Sequence, residues 1–330
     1  MKSRTLFVIV ACLLCLPAAA VYAWCSEGHQ AITEGAVSHL PQPLQSYFLL
    51  HLQEIKTSAG TEPPGTHYID IDWYPEFPDD FPRDINVLIA RYGASTVESN
   101  GTAPWTVRTY TGQLSVQMIT ATTAGDWQNL LQTAGALAHY VEDLHNPLHL
   151  TVNYNGQNTG NTGIHSRYEC EMVSRKMSLL TIEPTPSHCV YLVSPLDTIF
   201  DGIINDHYWY VDDILATDTT CRGTPPRYNT AYYNCMWTQT GAFTDSLFQE
   251  ASETVASAWY TAWVNAGRPQ PMCSPGNGDF DGGGAGLSDV PFFVNALLNP
   301  SISLQSKADL SGDCVIDGQD ISLFVAAIIE

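Results

Sequence analysis

The chain has 330 residues, of which 45% are hydrophobic, with eight Trp and sixteen Tyr. This is enough apolar material for a sizeable core and a second small domain, and it excludes a disordered chain. A formal net charge of -21 argues against tight binding to duplex nucleic acid through a basic surface, while leaving open a nuclease that grips phosphate through metal ions.

The N-terminus reads as a leader. Lys2 and Arg4 precede an apolar run from Leu6 to Leu16, and Pro17 and small residues lead to Val21-Tyr22-Ala23, the pattern of a cleaved signal peptide over residues 1–23. The apolar run is shorter than the roughly 20 residues that span a bilayer, and no later run is a transmembrane candidate. The exported chain then starts at Trp24. The alternative is lipidation at Cys12, where Ile9-Val10-Ala11-Cys12 forms a weak lipobox. Cleavage removes Cys12 and Cys15 and leaves seven of the nine cysteines: Cys25, Cys170, Cys189, Cys221, Cys235, Cys273 and Cys314. An oxidising compartment pairs most of them, and the odd count leaves one free or paired between chains.

Residues 24–272 read as an all-α domain with long loops. From Asp126 to Asn146, Leu130, Leu131, Ala134, Leu137, Ala138 and Val141 recur at helical spacing, and Pro147 ends or bends the helix. A second helix is predicted from Thr244 to Ala266, stopped by Gly267 and Pro269. Stretches 57–66, 72–84, 151–164 and 217–231 are rich in loop-forming residues. Residues 273–330 form a linker and a small module. Its two related units, "DFDGGGAGLSDVPFFVNALL" and "DLSGDCVIDGQDISLFVAAII", each join an acidic loop to an apolar helix.

The segment "AHYVEDLHNPLHL" carries the chemistry. His139 and Asp143 lie four apart on one helix face, so they can share a metal ion, and His149 follows past Pro147. "GIHSRYE" repeats the spacing with His165 and Glu169; "GTHYIDID" supplies His67 and "WCSEGH" supplies His29. His and carboxylate, rather than thiolate, is the ligand set of a catalytic zinc site. Clustered zinc ions acidify water, hold phosphate oxygens and neutralise a leaving group, which points to phosphate ester hydrolysis.

"WCSEGH", "HYIDID", "HYVEDLHNPLH", "GIHSRYE" and "AWYTAW" resemble, in the same order, motifs of the zinc-dependent phospholipase C and single-strand nuclease superfamily, over roughly residues 24–270. The resemblance implies a helical domain with three zinc ions at the floor of a cleft. Trp24, through its freed amine and carbonyl, would bind one zinc with His29. Asp143 would bridge it to a second, completed by His67 and His139, and the third would take His149, His165 and Glu169. Lipidation at Cys12 would leave Trp24 without a free amine. The family also expects an Asp some fourteen or fifteen residues before His67. Glu54 is the carboxylate nearest that position and Glu62 the other candidate, whereas alignment on Gln53 would put Lys56 where the nucleases carry a phosphate-binding Arg.

Substrate class divides between phospholipid and single-stranded nucleic acid. Glu169 and Glu27, the latter matching a carboxylate near the choline headgroup, resemble the phospholipases; the Trp24-to-His29 spacing resembles the nucleases. Glu142 stands where both usually have Gly. A third reading is a non-catalytic secreted docking protein with a decayed zinc site. Glu54, Asp143 and Glu27 are the carboxylates with expected catalytic roles. Tyr68, Trp73, Tyr74 and Trp105 are candidate aromatic contacts for a base or a choline group.

In the second C-terminal unit, Asp309, Ser311, Asp313, Asp317 and Asp320 fall at positions 1, 3, 5, 9 and 12 of a calcium loop, with the Val315 carbonyl at position 7. The unit resembles a dockerin repeat, which implies calcium and a cohesin-like partner. In the first unit Asp279 and Asp281 fit, Gly283 replaces a ligand, and Asp289 falls one residue short.

Overall fold

The computed structural model describes residues 24–182, 189–298 and 306–329. The leader, with its cleavage site and Cys12, lies outside them. Among the described residues there is no strand, so the chain is all-α. Nor is any helix long and apolar enough to cross a membrane. The α-helices of six residues or more are α1 (Cys25–His39), α2 (Leu44–Leu50), α3 (Leu52–Ala59), α4 (Ile85–Tyr92), α5 (Ala94–Ser99), α6 (Ala103–Thr120), α7 (Ala124–Leu144), α8 (Tyr210–Arg222), α9 (Thr230–Asn265), α10 (Val290–Leu298) and α11 (Gly318–Ile329).

Helix α7 is the axis of the main domain, with α1, α3, α6 and α9 packed around it. Its start is fixed by a capping box in which Thr123 and Asp126 satisfy each other's backbone N–H groups. Along its first half one face is apolar and the other exposed. From Leu137 onward every residue through Leu150 is buried, so the helix ends inside the protein rather than on its surface. Trp259 of α9 locks the pair of helices together, donating from Nε1 to the Ala134 carbonyl at 2.9 Å with its ring edge-on to Phe48.

The second predicted helix is real but begins earlier, at Thr230, where the Asn229 side chain accepts from the Tyr232 N–H. Much of 217–231, read from sequence as loop, is therefore helical, in the end of α8 and the start of α9. Thr and Asp favour turns in isolation, but Val211, Ile214 and Leu215 are buried against the second core cluster. The Cys221–Cys235 disulfide also ties the end of α8 to α9, so tertiary burial outweighs local preference.

Three disulfides form, Cys25–Cys170, Cys221–Cys235 and Cys273–Cys314, leaving Cys189 as the odd thiol. Such pairing is compatible with export to an oxidising compartment. In the C-terminal module Phe293 of α10 stacks on Phe324 of α11 at 4.1 Å between centroids. The two partners occupy equivalent places in the duplicated units, each four residues past the buried Asp289 or Asp320.

Candidate metal centre

Two buried carboxyls at the end of α7 set the problem. Glu142 and Asp143 are both 0% exposed, and a buried carboxylate needs a compensating charge or hydrogen bonds. Asp143 is ringed by imidazoles. His29 Nε2 lies 3.4 Å from its Oδ1, while His139 Nε2 at 3.1 Å and His67 Nδ1 at 3.7 Å face its Oδ2. Each oxygen thus addresses a different set of nitrogens, the arrangement of a carboxylate that bridges two ions. Burial would push the Asp143 carboxyl up, but His139, His149 and His29 hold it well below the ordinary carboxylate range. Burial likewise opposes charge on His139, yet Asp143 raises that imidazole to about 9.

Each imidazole is aimed by its other nitrogen. His139 Nδ1 donates to the Ala59 carbonyl at 2.7 Å, which leaves Nε2 directed at Asp143. The His29 and His139 rings stack at 4.0 Å. His67 sits on an extended stretch held beside the turn Pro147–His149, because the Ile69 N–H donates to the His149 carbonyl and the Asp70 N–H to the Asn100 carbonyl. Gly101, with φ +89°, lies beneath this stretch. A Cβ there would meet the Tyr68 carbonyl oxygen at 2.1 Å, so only glycine allows the close approach.

The second half of the centre joins the turn after α7 to the helical turns beginning at Ile164. His149 Nε2 and His165 Nε2 face each other at 2.9 Å, and Glu169 Oε2 lies 3.4 Å from the first and 3.0 Å from the second. Two imidazole lone pairs meet at that distance only with a proton or a cation between them. Asn146 donates from Nδ2 to the same Glu169 oxygen at 2.9 Å. Burial opposes ionisation of Glu169, but the two histidines hold its carboxyl below the usual range. Disulfide Cys25–Cys170 joins the halves, since Cys25 follows Trp24 and Cys170 follows Glu169. His67 and His149 are 5.2 Å apart between ring centroids, so the halves are contiguous.

His29, His139 and Asp143 form one group of potential ligands within 4.8 Å of one another; Glu62, His67 and His139 form a second, and His149, His165 and Glu169 a third. These residues fit divalent metal ions on two counts. His29 Nε2, His139 Nε2 and both Asp143 oxygens are buried without a hydrogen-bond partner, an arrangement costly unless a cation engages them. The donors are imidazole and carboxylate, the set that suits zinc.

Two sequence expectations are corrected. Glu54 does not approach His67 or His139. It projects from α3 with its side chain half exposed, beside His51 and Gln128. Glu62 takes that place, ion-paired to His67 Nδ1, because the loop after α3 turns back at Pro63-Pro64 toward α7, where the Tyr140 hydroxyl donates to the Pro64 carbonyl. Glu27 is exposed on the first turn of α1, in a shallow groove with Cys170, Glu171 and Arg175 rather than in the histidine cleft. Trp24 is fully buried beside the centre, its Nε1 donating to the Glu142 carbonyl at 2.9 Å. Gln53 lines the same outer groove as Glu54, and Lys56 is ion-paired to Glu34 at 2.5 Å. Glu142 stands out in the sequence only as a departure from the Gly usual in the resembled family, and Asn146 not at all; neither pattern shows that the side chain is buried.

The two carboxylates can be told apart by metal content. Glu62→Gln is expected to lower bound zinc toward one ion less per chain after dialysis, with Glu54→Gln matching wild type, measured by elemental analysis.

Over the histidines opens a cleft of about 320 Å³ lined by His67, Tyr68, Asp70, Ser99, Leu148, His149, Tyr154 and His165. Burial, with Asp72 nearby, raises the Asp70 carboxyl to about 7. Trp105 is a core residue, while Trp73 is partly exposed and packs edge-on against Tyr74 and Tyr92. Of the aromatic candidates only Tyr68 lines the cleft, and Tyr154 joins it. Comparison with protein-family models and with curated proteins returns no match. The geometry alone therefore carries the functional reading.

In the C-terminal module the acidic residues of the second unit share one loop. Asp309 accepts from Ser311 Oγ and from the N–H groups of Gly312 and Cys314; Asp320 accepts from the N–H groups of Ser311 and Asp317. Asp313 and Asp317 accept from the N–H groups two residues on, at Val315 and Gln319. Although one residue short, Asp289 plays the part of Asp320 in the first unit, accepting from Phe280, Asp281 and Gly286.

Proposed function

We propose that this chain is an exported zinc-dependent phosphodiesterase. The observation that carries the reading is Asp143, which presents its two buried oxygens to separate imidazoles, one of them, His67, lining a cleft together with His149 and His165. In this reading His29 and Asp143, with the amine and carbonyl of Trp24, hold one ion. Glu62, His67, His139 and Asp143 hold a second, and His149, His165 and Glu169 a third. When bound, such ions supply a nucleophile at neutral pH and neutralise charge on the phosphate and its leaving group.

The protein's own residues do the rest. Asp143 keeps its charge at all physiological pH because the imidazoles around it favour the anion. Glu142 and the Ala59 carbonyl fix the tautomers of His29 and His139. Asn146 holds the Glu169 oxygen between His149 and His165. Tyr68 and Tyr154 wall the cleft, where a flat base or a compact headgroup would rest against them.

Glu27, which tied the phospholipid reading to a choline-like headgroup, lies outside this cleft. That position favours the second reading, a single-strand nuclease whose base stacks on Tyr68 or Tyr154. Turnover of single-stranded DNA or of phosphatidylcholine vesicles, each assayed with added zinc, decides between them. Hydrolysis of neither sinks the phosphodiesterase reading. For the C-terminal module we propose calcium at Asp309, Ser311, Asp313, Val315, Asp317 and Asp320, with docking to a cohesin-like partner as its role; calcium is expected to protect residues 274–330 from proteolysis.

A further inference from the structure

Glu142 is the one buried carboxyl of the centre that the proposed ion assignment does not use as a ligand. It sits next to Asp143 yet points the other way, because successive residues on a helix project about 100° apart. Its Oε2 lies 2.5 Å from His29 Nδ1, its Oε1 accepts from Thr33 Oγ1 at 2.8 Å, and its backbone carbonyl accepts from Trp24 Nε1 at 2.9 Å. The carboxyl is therefore occupied on both oxygens and does not face Asp143. We propose that Glu142 is a positioning residue that makes the His29 position the tightest of the metal sites. The inference rests on the metal-centre reading above.

The contrast with His139 supports it. Both imidazoles present Nε2 to Asp143, and their rings are nearly parallel. His139 Nδ1 donates to a neutral peptide carbonyl, that of Ala59. His29 Nδ1 instead meets a fully buried carboxylate, and a carboxylate partner fixes the tautomer more firmly and raises the basicity of the free nitrogen. Trp24 and His29, on either side of the first turn of α1, are held by the same residue. Glu142 thus couples the start of α1 to α7.

The test uses the full exported chain, Glu142→Gln, and competition for zinc against a graded set of chelators. Gln keeps the size and one acceptor oxygen, which can serve His29 Nδ1 while the Thr33 hydroxyl turns to accept from the new amide N–H, and it removes the charge. In wild type one ion is expected to outlast the others. In Glu142→Gln that ion alone weakens by about 10- to 100-fold, so the chelator that strips the other ions now strips it too. Circular dichroism and thermal unfolding check that the variant is folded; a purely packing role would lower the melting temperature and leave the chelator titration unchanged, which overturns the proposal. If Glu142→Gln does not fold, Thr33→Val, which keeps the charge and frees one oxygen, is expected to weaken the same ion severalfold, and an unchanged titration is again fatal. A wild-type chain that binds zinc but releases all its ions together refutes the role of Glu142 alone. One that binds no zinc removes the metal-centre reading beneath it.

Discussion

On the proposed zinc assignment, Asp143→Asn is expected to reduce bound zinc from three ions per chain to one, and to cut any phosphodiester turnover by about a thousandfold or more. The reason is geometric. One side chain offers an oxygen to His29 and the other to His139 and His67, so two ion positions lose a ligand at once. A thousandfold corresponds to about 4 kcal/mol of transition-state stabilisation, a reasonable share of what paired ions supply to an in-line displacement. His149, His165 and Glu169 make no use of Asp143 as a ligand and should retain their ion. The metal-free variant should also be less stable than the metal-free wild type by roughly 3–5 kcal/mol, because protonated imidazoles would be left buried without their counter-charge. Elemental analysis, turnover and denaturant unfolding of the same preparation check all three. Retention of full metal content would remove Asp143 from the bridge.

On the same proposed assignment, stripping the wild-type chain of metal is expected to have the second large effect. A ligand held a thousandfold above its dissociation constant stabilises the folded state by about 4 kcal/mol. A chain of this size shifts its melting temperature by roughly 2–4 °C per kcal/mol. Chelation is therefore expected to lower the melting temperature by about 10 °C, and zinc to restore it. The pH dependence has a definite sign. In the metal-free chain His139 is raised to about 9 by Asp143, so its contribution to stability is fully present below the ordinary imidazole value and is lost as pH rises through about 9. Asp143 and Glu169 are lowered, so their contribution is present above the ordinary carboxylate range and lost on acidification. Zinc must displace the His139 proton, so affinity at that position should rise about tenfold per pH unit up to about 9. Zinc titration in weakly buffered solution should accordingly release protons.

The helical class, the positions of α7 and the later part of α9, and the histidine motifs were all legible in the sequence. Each is a local property: a helix repeats every 3.6 residues, so apolar spacing and the four-residue steps from His139 to Asp143 and from His165 to Glu169 declare themselves within a few turns. Where α8 ends and α9 begins was not legible, because there burial and a disulfide override residues that prefer turns. Glu54 lies closest in sequence to the position where the family carries its Asp, yet helix α3 directs it outward and a loop after it returns Glu62.

Sequence by itself determined which residue types are present for metal chemistry, that His29, His139, Asp143, His165 and Glu169 fall in helical motifs, and that the cysteines are odd in number. Only the tertiary structure decided which carboxylates converge, that Glu142 is buried under His29 rather than solvated on a helix face, that Glu27 lies outside the cleft, and that Cys189 is the thiol left over. The physical reason is that ligation depends on distances of a few ångströms between elements far apart in the chain. Those distances are set by how α1, α3 and α9 pack on α7, a property of the whole core that no local pattern encodes.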